Sequence, residues 1–311
     1  MGMMGKRIWV AIVMAGFAPT LSAWNETGHR IIAAIAYDHL TTQARARVDG
    51  LLRRHPDYES IFVKDAPADA AGRARAAFLV ASYWPDAIRN DARFYDESRG
   101  DVRPTALQAG FPDMGRHGAW HYVDFNFSED GTVIPPLDSP NALGELGRWI
   151  GVVGTNNALA VYSLPWLIHV AGDVHNPLHT VSRYSRALPK GDRGGNDVWV
   201  RPQGSSAGVN LHSYWDGLGG SDARPAYVDR MAAEVAKQSA GVVADAHPET
   251  WVVEAFYYAR SVAYRFGQGS GSKEQPITLT RAYEASAKAL VRERLSTAGM
   301  RLAAVLNGAL K

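Results

Sequence analysis

The sequence predicts an all-α fold, a single compact multi-helix domain over residues 24–311 with a short β-hairpin or strand near 197–201. Three observations predict it. Apolar residues recur at helical spacing through most of the chain. Strand signals are sparse, and no linker divides the chain, whose candidate site residues run from 24 to 216. With 311 residues, 46% of them hydrophobic, the chain is long enough to bury a sizeable core.

The helical segments follow from apolar spacing and from capping residues. Thr41 and Thr42 are good N-caps for the second segment, and the segment over 66–83 is rich in alanine. The last segment is expected to be long and amphipathic. In chain order, helices are predicted over 28–40, 42–53, 66–83, two within 141–175 with a break near Gly154, 225–244, 251–264 and 278–310.

The remaining segments are predicted as one strand and several loops. The run Asp-Val-Trp-Val-Arg at 197–201 is the best strand candidate. Proline and glycine cluster in four stretches that are typical of loops: 99–118, 134–140, 187–195 and 265–276.

The first 23 residues have the pattern of a secretory signal peptide. Lys6 and Arg7 precede an apolar run over 8–18, and Leu21-Ser22-Ala23 follows, which predicts cleavage after Ala23. The alternative is a membrane anchor, but the run is too short to span a bilayer. We therefore expect a periplasmic or secreted protein without stable membrane association after cleavage.

Charge and cysteine content exclude several classes of function. A net charge of +2 is too small for nucleic-acid binding through a basic face. The chain has no cysteine, which excludes thiolate metal sites, thiol nucleophiles and redox chemistry at paired cysteines. A metal site in this chain must therefore consist of histidine and carboxylate side chains.

Two segments repeat one local pattern of histidine and aspartate. His169 precedes Asp173, and His212 precedes Asp216, by one helical turn. Residues at this spacing share a helix face, so each pair can bind one metal or two adjacent metals. Imidazole and carboxylate are the ligands that zinc takes when sulfur is absent. A single such pair is more often an ordinary surface contact, so the interpretation depends on context.

The residues that follow the first pair strengthen its interpretation as part of a metal site. Pro177 ends the helix soon after Asp173, and His179 follows in the resulting turn. His175 lies two residues after Asp173, on another face, and we expect it to be structural or to support a ligand.

Two segments upstream add further candidates. His121 and Asp124 lie in one short segment, and Asp86 follows a proline, with Arg89 three residues later. If the signal is cut after Ala23, a free α-amino group at Trp24 becomes a further candidate, because it loses its proton readily against a metal.

Six motifs occur in one order along the chain: W-x4-H, WPDxIR, WHYVD, LIHVAGDVHNPLH, GGN and NLHxxWD. In this order they resemble the S1/P1 nuclease family of zinc-dependent, single-strand-specific nucleases. The resemblance covers about residues 24–217 and implies a fold of the phospholipase C and P1 nuclease type. The last third resembles the family only in being helical.

The resemblance implies three zinc ions and assigns their ligands. The first would be held by Asp86, His121, His169 and Asp173. The second would be held by the amino nitrogen and carbonyl oxygen of Trp24, by His29, and by Asp173 as a bridge. The third would be held by His179, His212 and Asp216.

The resemblance also implies the residues that contact substrate. Arg89 and Asp124 match an arginine and aspartate pair beside the metals, in which Asp124 either holds Arg89 or orients water. Asn196 matches a residue that contacts base or phosphate. Tyr122 matches an aromatic that stacks on a base, with an ordinary half-buried tyrosine as the alternative.

The implied activity is hydrolysis of single-stranded DNA and RNA to 5′-phosphorylated products, with 3′-nucleotidase activity and a monomeric protein as further expectations. The alternatives are a zinc-dependent phospholipase C and a zinc-storage protein. The chain departs from the family pattern at Asn25, where glycine is common, in lacking disulfides, and in the loops 99–118 and 180–193. These loops leave base preference open.

Overall fold

The computed structural model describes residues 24–100, 102–237, 245–267 and 271–311. The predicted signal peptide lies outside these residues. Within them, helices dominate and the longest strands have four residues. The predicted all-α class is therefore confirmed.

Ten α-helices are present in the described residues: α1 Glu26–Asp38, α2 Thr42–Leu52, α3 Ala70–Ala81, α4 Trp84–Ala87, α5 Ala142–Val153, α6 Ala158–Asp173, α7 Leu211–Gly217, α8 Pro225–Ala236, α9 Pro248–Tyr258 and α10 Arg281–Ala309. Short 3-10 or π turns lie at Tyr58–Phe62, Ile88–Asn90, Gly118–His121, Pro177–His179 and Ala259–Ala263. The predicted break near Gly154 separates α5 from α6. The end of the predicted helix 225–244 lies partly outside the described residues.

Side-chain caps explain where several helices begin. Thr41 accepts a hydrogen bond from the Ala44 amide, which confirms it as the N-cap of α2. Asp69 caps α3 by accepting from Gly72, so this helix begins later than the sequence suggested. Pro85 lies in the first turn of α4, where its missing N–H costs no hydrogen bond.

Five short strands form two small sheets. In the first, β1 Phe125–Ser128 pairs in parallel with β2 Val181–Tyr184. In the second, β3 Trp199–Arg201 pairs antiparallel with β4 Val209–Asn210 and in parallel with β5 Ile277–Thr278. The β3–β4 pair confirms the hairpin predicted near 197–201. The β1–β2 pair was not predicted, and it sets the segment after His121 beside the segment after His179.

Helix α1 lies at the centre and packs against α3, α6, α8 and α10. Glycines allow its closest approaches. A Cβ at Gly299 would lie 2.6 Å from the Cβ of Ile35, and one at Gly172 would lie 3.1 Å from Nδ1 of His29. The helices of this core therefore meet with almost no space for additional side-chain atoms.

The expectation that the last helix is amphipathic holds only for its first part, where buried side chains recur at helical spacing, as at Tyr283, Ala287 and Leu290. Residues 294–299 of α10 are all buried, so this part of the helix is surrounded rather than lying with one face on the core. No helix in the described ranges combines the length and the apolar character that crossing a membrane requires.

Candidate metal centre

Helix α6 carries two of the predicted ligands into the interior. Every residue of α6 from Ala160 to Asp173 is buried. His169 and Asp173 lie one turn apart, and Nε2 of His169 is 3.2 Å from Oδ2 of Asp173. The spacing seen in the sequence therefore brings these two side chains together on one face.

These two are among eight of the nine predicted ligands that come together in small groups. The described residues form three buried groups, and within each group the ligand atoms lie within 4.8 Å of one another. The groups are His29, His169 and Asp173; Asp86, His121 and His169; and His179, His212 and Asp216. His169 belongs to two groups, so the first two groups are contiguous.

The carboxylate of Asp173 contacts histidines from different elements. Its Oδ1 is 3.2 Å from Nε2 of His29, and its Oδ2 is 3.2 Å from Nδ1 of His121. Nδ1 of His121 is also 3.0 Å from Nε2 of His169. Donor atoms from α1, α6 and the 3-10 turn at 118–121 thus face one small volume.

The donor set fits bound cations. Both ring nitrogens of His29, Nε2 of His179 and Oδ1 of Asp173 are buried and have no hydrogen-bond partner among the described residues. A buried polar atom without a partner is destabilising by about 1–3 kcal/mol. Neutral imidazole and carboxylate are ligands that zinc takes, and a cation would satisfy these atoms.

Backbone carbonyls fix the orientation of three rings. The Nδ1 atoms donate to the carbonyls of Ser82, 2.7 Å from His169, of His121, 2.8 Å from His179, and of Gly194, 2.8 Å from His212. A carbonyl only accepts, so each ring carries its proton on Nδ1 and leaves Nε2 free for the groups. Such support is typical of metal-binding histidines.

Burial keeps several of these histidines neutral. It lowers the pKa of His121 to about 3, together with the charge of Arg89. It lowers the pKa of His212 to about 3 as well, together with His179. Because a ligand imidazole must be unprotonated, these rings are in the metal-binding form at neutral pH.

The three carboxyl groups differ in charge balance. Burial by itself raises the pKa of Asp86 and of Asp173, but Arg89 and His169 offset it for the first and His169 for the second, so both are lowered. The pKa of Asp216 is raised well above its ordinary value by burial and by the charge of Asp86. Of the three carboxylates, Asp216 is therefore the one whose negative charge is least compensated by its neighbours, and a cation bound beside it would supply that compensation.

One residue that supports the third group was not found from the sequence. Asn176 donates from Nδ2 to Oδ1 of Asp216 over 2.9 Å, and its own Oδ1 accepts from the Leu178 amide. It therefore joins the turn after α6 to the last predicted ligand. Its position between two candidate ligands and directly before a proline was the available signal.

The glycine pair before Asn196 lies against the third group. Gly194 has φ of +62°, and a Cβ there would collide with the carbonyl of Leu178. This close approach places the Gly194 carbonyl against His212. Asn196 itself donates to the carbonyl of Arg193 over 2.7 Å and belongs to none of the three metal groups.

Trp24, the ninth predicted ligand, belongs to none of the three metal groups. Its side chain is buried, and its indole nitrogen donates to the carbonyl of Gly172 over 3.0 Å. The amide of Asn25 donates to the carbonyl of Asp216 over 3.2 Å. These bonds hold the chain at residues 24–25 beside two of the groups, and the role of its amino group stays a prediction.

Three of the four residues predicted to contact substrate, Arg89, Asp124 and Tyr122, differ in their surroundings. Nε of Arg89 is 3.4 Å from Oδ1 of Asp86, and the described residues include no ion pair between Arg89 and Asp124. Burial and the charges of nearby aspartates raise the pKa of Asp124 to about 7. Tyr122 is 42% exposed, so its ring is accessible.

His175 points away from the groups, as expected for a structural residue. Its Nδ1 donates to the Ala171 carbonyl over 2.7 Å, and its Nε2 lies 3.3 Å from Nη1 of Arg301. A surface cavity of about 820 Å³ lies over this region, lined by residues of α9 and α10 and not by any candidate metal ligand.

The sequence was compared with known proteins. The family model described as S1/P1 Nuclease matches residues 24–311. The match extends past residue 217, so the family pattern continues through the C-terminal helices, further than the motifs alone indicated. A search of curated proteins finds no match.

Proposed function

Because the chain belongs to the S1/P1 nuclease family, we propose that it is a zinc-dependent nuclease that cleaves single-stranded DNA and RNA, leaving 5′-phosphorylated products. We include 3′-nucleotidase activity in the proposal, since the same hydrolysis applies to a terminal phosphate. The observation that carries it is the set of three buried histidine and carboxylate groups, two of which share His169.

We assign a zinc ion to each group. The first would be held by Asp86, His121, His169 and Asp173, the second by the Trp24 terminus, His29 and Asp173, and the third by His179, His212 and Asp216. When bound, such ions polarise a phosphodiester and make water acidic enough to serve as the nucleophile near neutral pH.

The protein's own residues bind and orient the phosphate. Arg89 offers a planar set of donors beside the groups, and its contact with Asp86 aims them towards this volume. Asp124, which makes no ion pair with Arg89 among the described residues, is assigned the other expected role, that of orienting water. Its raised pKa leaves it part protonated near neutral pH, able to donate as well as accept.

Preference for single strands follows from the exposed ring of Tyr122. A base that stacks on this ring must leave its neighbours, and this is least unfavourable in a single strand. We assign Asn196, which follows the glycine pair packed against His212, to a contact with the base or phosphate.

The proposal includes export. Cleavage after Ala23 would create the amino group at Trp24. The hydrogen bonds from the Trp24 indole to Gly172 and from the Asn25 amide to Asp216, which fix this part of the chain, support its assignment as a ligand. The precursor would then be inactive or weakly active until the signal peptide over 1–23 is removed. We propose a periplasmic or secreted, monomeric enzyme.

The test compares two purified forms, one that begins at Trp24 and one that carries a single extra alanine before it. We expect the first to bind three zinc ions, measured by elemental analysis, and to cleave denatured DNA and RNA faster than duplex DNA. The extended form should lose about one zinc ion and most of its activity, because the chelating amine is displaced.

Two results would contradict this proposal. Hydrolysis of phosphatidylcholine without cleavage of nucleic acid would instead indicate a phospholipase C. Zinc content and activity that are unchanged in the extended form would remove Trp24 from the ligand set. The variant His247→Ala, which changes an exposed histidine, is the control for general effects on the protein.

A further inference from the structure

The short 3-10 turn that carries His121 begins at a residue with a left-handed backbone. His117 has φ of 48° and ψ of 47°, which is uncommon for a residue other than glycine. The turn Gly118–His121 has no side-chain cap. Contacts outside the turn must therefore stabilise its beginning.

Two carboxylates hold the ring of His117. Nδ1 is 2.8 Å from Oε1 of Glu97, and Nε2 is 2.7 Å from Oδ1 of Asp113. Ionised carboxylates only accept, so both ring nitrogens donate and the ring is an imidazolium. Glu97 also accepts from the backbone amides of His117 and Arg116, at 2.8 and 3.0 Å.

Aromatic rings connect this clamp to His121. The ring of His117 stacks on Trp120 with centroids 3.5 Å apart, and Arg148 lies 5.4 Å from the same indole. Trp120 packs on Trp166 at 4.9 Å, and Trp166 lies 5.4 Å from the ring of His121. A change at His117 therefore reaches His121 through two packed indoles and through the turn itself.

We propose that His117, held as a doubly hydrogen-bonded imidazolium by Glu97 and Asp113, is a positioning residue that sets His121 for zinc binding. This inference rests on the proposed zinc-dependent function. In the described residues, the ring contacts of His117 are with Trp120 and Trp166, so it acts through them and not as a ligand.

The clamp has a defined pH window. Burial by itself would lower the pKa of His117, but Asp113 and Glu97 raise it above 6.5. Its contribution is complete below 6.5 and is lost as the pH rises through the raised value. The pKa of each carboxyl is lowered because His117 outweighs burial, so their contribution is lost only as the pH falls through the lowered values. Arg148 of α5 and Tyr162 of α6 also face Asp113.

The experiment weakens the clamp without removing the histidine. In Glu97→Gln and Asp113→Asn the ring keeps an acceptor but loses a charge, so His117 should lose its proton at lower pH. We expect zinc affinity, measured against a competing chelator, to match that of the unaltered protein at about pH 6 and to fall about tenfold at about pH 8. Ring signals in NMR titrations should show the shift at His117.

A matched control changes another histidine and aspartate pair. His247 contacts Asp245 at 2.7 Å on the surface, so Asp245→Asn should leave zinc affinity at both pH values unchanged. His117→Gln should weaken zinc binding at both pH values. If the His117→Gln variant does not fold, Glu97→Gln and Asp113→Asn still test the role of His117.

The proposal is overturned if the clamp variants keep the zinc affinity of the unaltered protein at the higher pH, or if the His117 ring titrates in them as it does without the change. Nuclease assays are read separately. A protein that cleaves no nucleic acid would sink the proposed function, while the zinc and NMR measurements would still decide the role of His117.

Discussion

Two buried clusters of charged and titratable side chains lie on either side of the segment 173–179, and they balance their charges differently. The metal-group cluster consists of the eight side chains in the three groups. The arginine cluster consists of His175, Glu254, Arg294 and Arg301. Asp173 and His179 point into the first cluster, and His175 points into the second.

The arginine cluster is closed by its own ion pairs. Arg301 donates from Nη1 and Nη2 to the two oxygens of Glu254, over 2.7 and 2.8 Å, and Arg294 donates to the same carboxylate. Burial and the nearby arginine charges lower the pKa of His175 well below its ordinary value, so its ring is neutral. A guanidinium cannot bind a metal, so this cluster has a structural role despite its burial and charge.

In the metal-group cluster, the described side chains do not balance their charges in this way. Its atoms are of ligand types. Among the residues that the structure describes, several of these atoms have no hydrogen-bond partner, and no arginine forms an ion pair with Asp216. Buried charge is common to the two clusters and does not by itself identify a site. The chemistry of the donor atoms, and whether they satisfy one another, separates a binding centre from a structural ion pair.

The largest expected effect comes from the residue shared by two metal groups. His169→Ala should lower nuclease activity by more than about 100-fold, beyond the 10- to 100-fold typical of losing only a supporting contact. Zinc content should fall as well. His175→Ala, six residues away but in the arginine cluster, should leave activity per folded molecule nearly unchanged. Equal losses of zinc in the two variants would remove the distinction between the clusters.

A smaller effect is expected at Asn176, which supports a ligand without being one. Asn176→Ala removes the donor to Asp216 and should weaken zinc binding in the third group by about 10- to 100-fold, measured by chelator competition. Asn307→Ala is the control, because the hydrogen bonds of Asn307 to described residues are with backbone groups near α1 and α2. A zinc affinity unchanged by Asn176→Ala would show that Asp216 needs no such support.

The smallest effect on activity is expected in the arginine cluster. Glu254→Gln leaves two arginines facing a neutral acceptor and should lower the free energy of unfolding by about 1–2 kcal/mol, less than for a fully buried pair because the Glu254 side chain is 36% exposed. Urea unfolding measures it, with the exposed Glu293→Gln as control. A loss of zinc in Glu254→Gln would contradict the comparison.

The stabilisation that Glu254 contributes to the free energy of unfolding depends on pH with a definite sign. Burial by itself would raise the pKa of Glu254, but Arg301 and Arg294 offset it, so the pKa is lowered from 4.5. The stabilisation is therefore present above 4.5 and is lost as the pH falls through the lowered value. The difference in unfolding free energy between Glu254→Gln and the unaltered protein should shrink in acid.

The sequence predicted the features that depend on local spacing. One helical turn between His169 and Asp173 placed these two side chains together, and the break near Gly154 divided α5 from α6 as expected. The Thr41 cap was correct for the same reason, since capping depends on the next three residues. The resemblance to the family, in turn, assigned His29, Asp86 and His121 to the same site.

Features that depend on distant segments were not predicted. The parallel β1–β2 pair joins short segments that are far apart in the chain, and neither has enough residues to show an alternating pattern. The burial of residues 294–299 of α10 on all sides follows from the elements that pack around this part of the helix. The clamp on His117 requires Glu97 and Asp113 to meet across a loop, which no sequence spacing specifies.

Helix α6 and the turn after it supply ligands to all three groups within residues 169–179. Each residue inserted into a helix rotates everything beyond it by about 100°. A single insertion between His169 and Asp173 would turn Asp173 out of its group and carry His179 away from the third. The length of 169–179 is therefore constrained by three centres at once, so this segment cannot absorb an insertion without disturbing all of them.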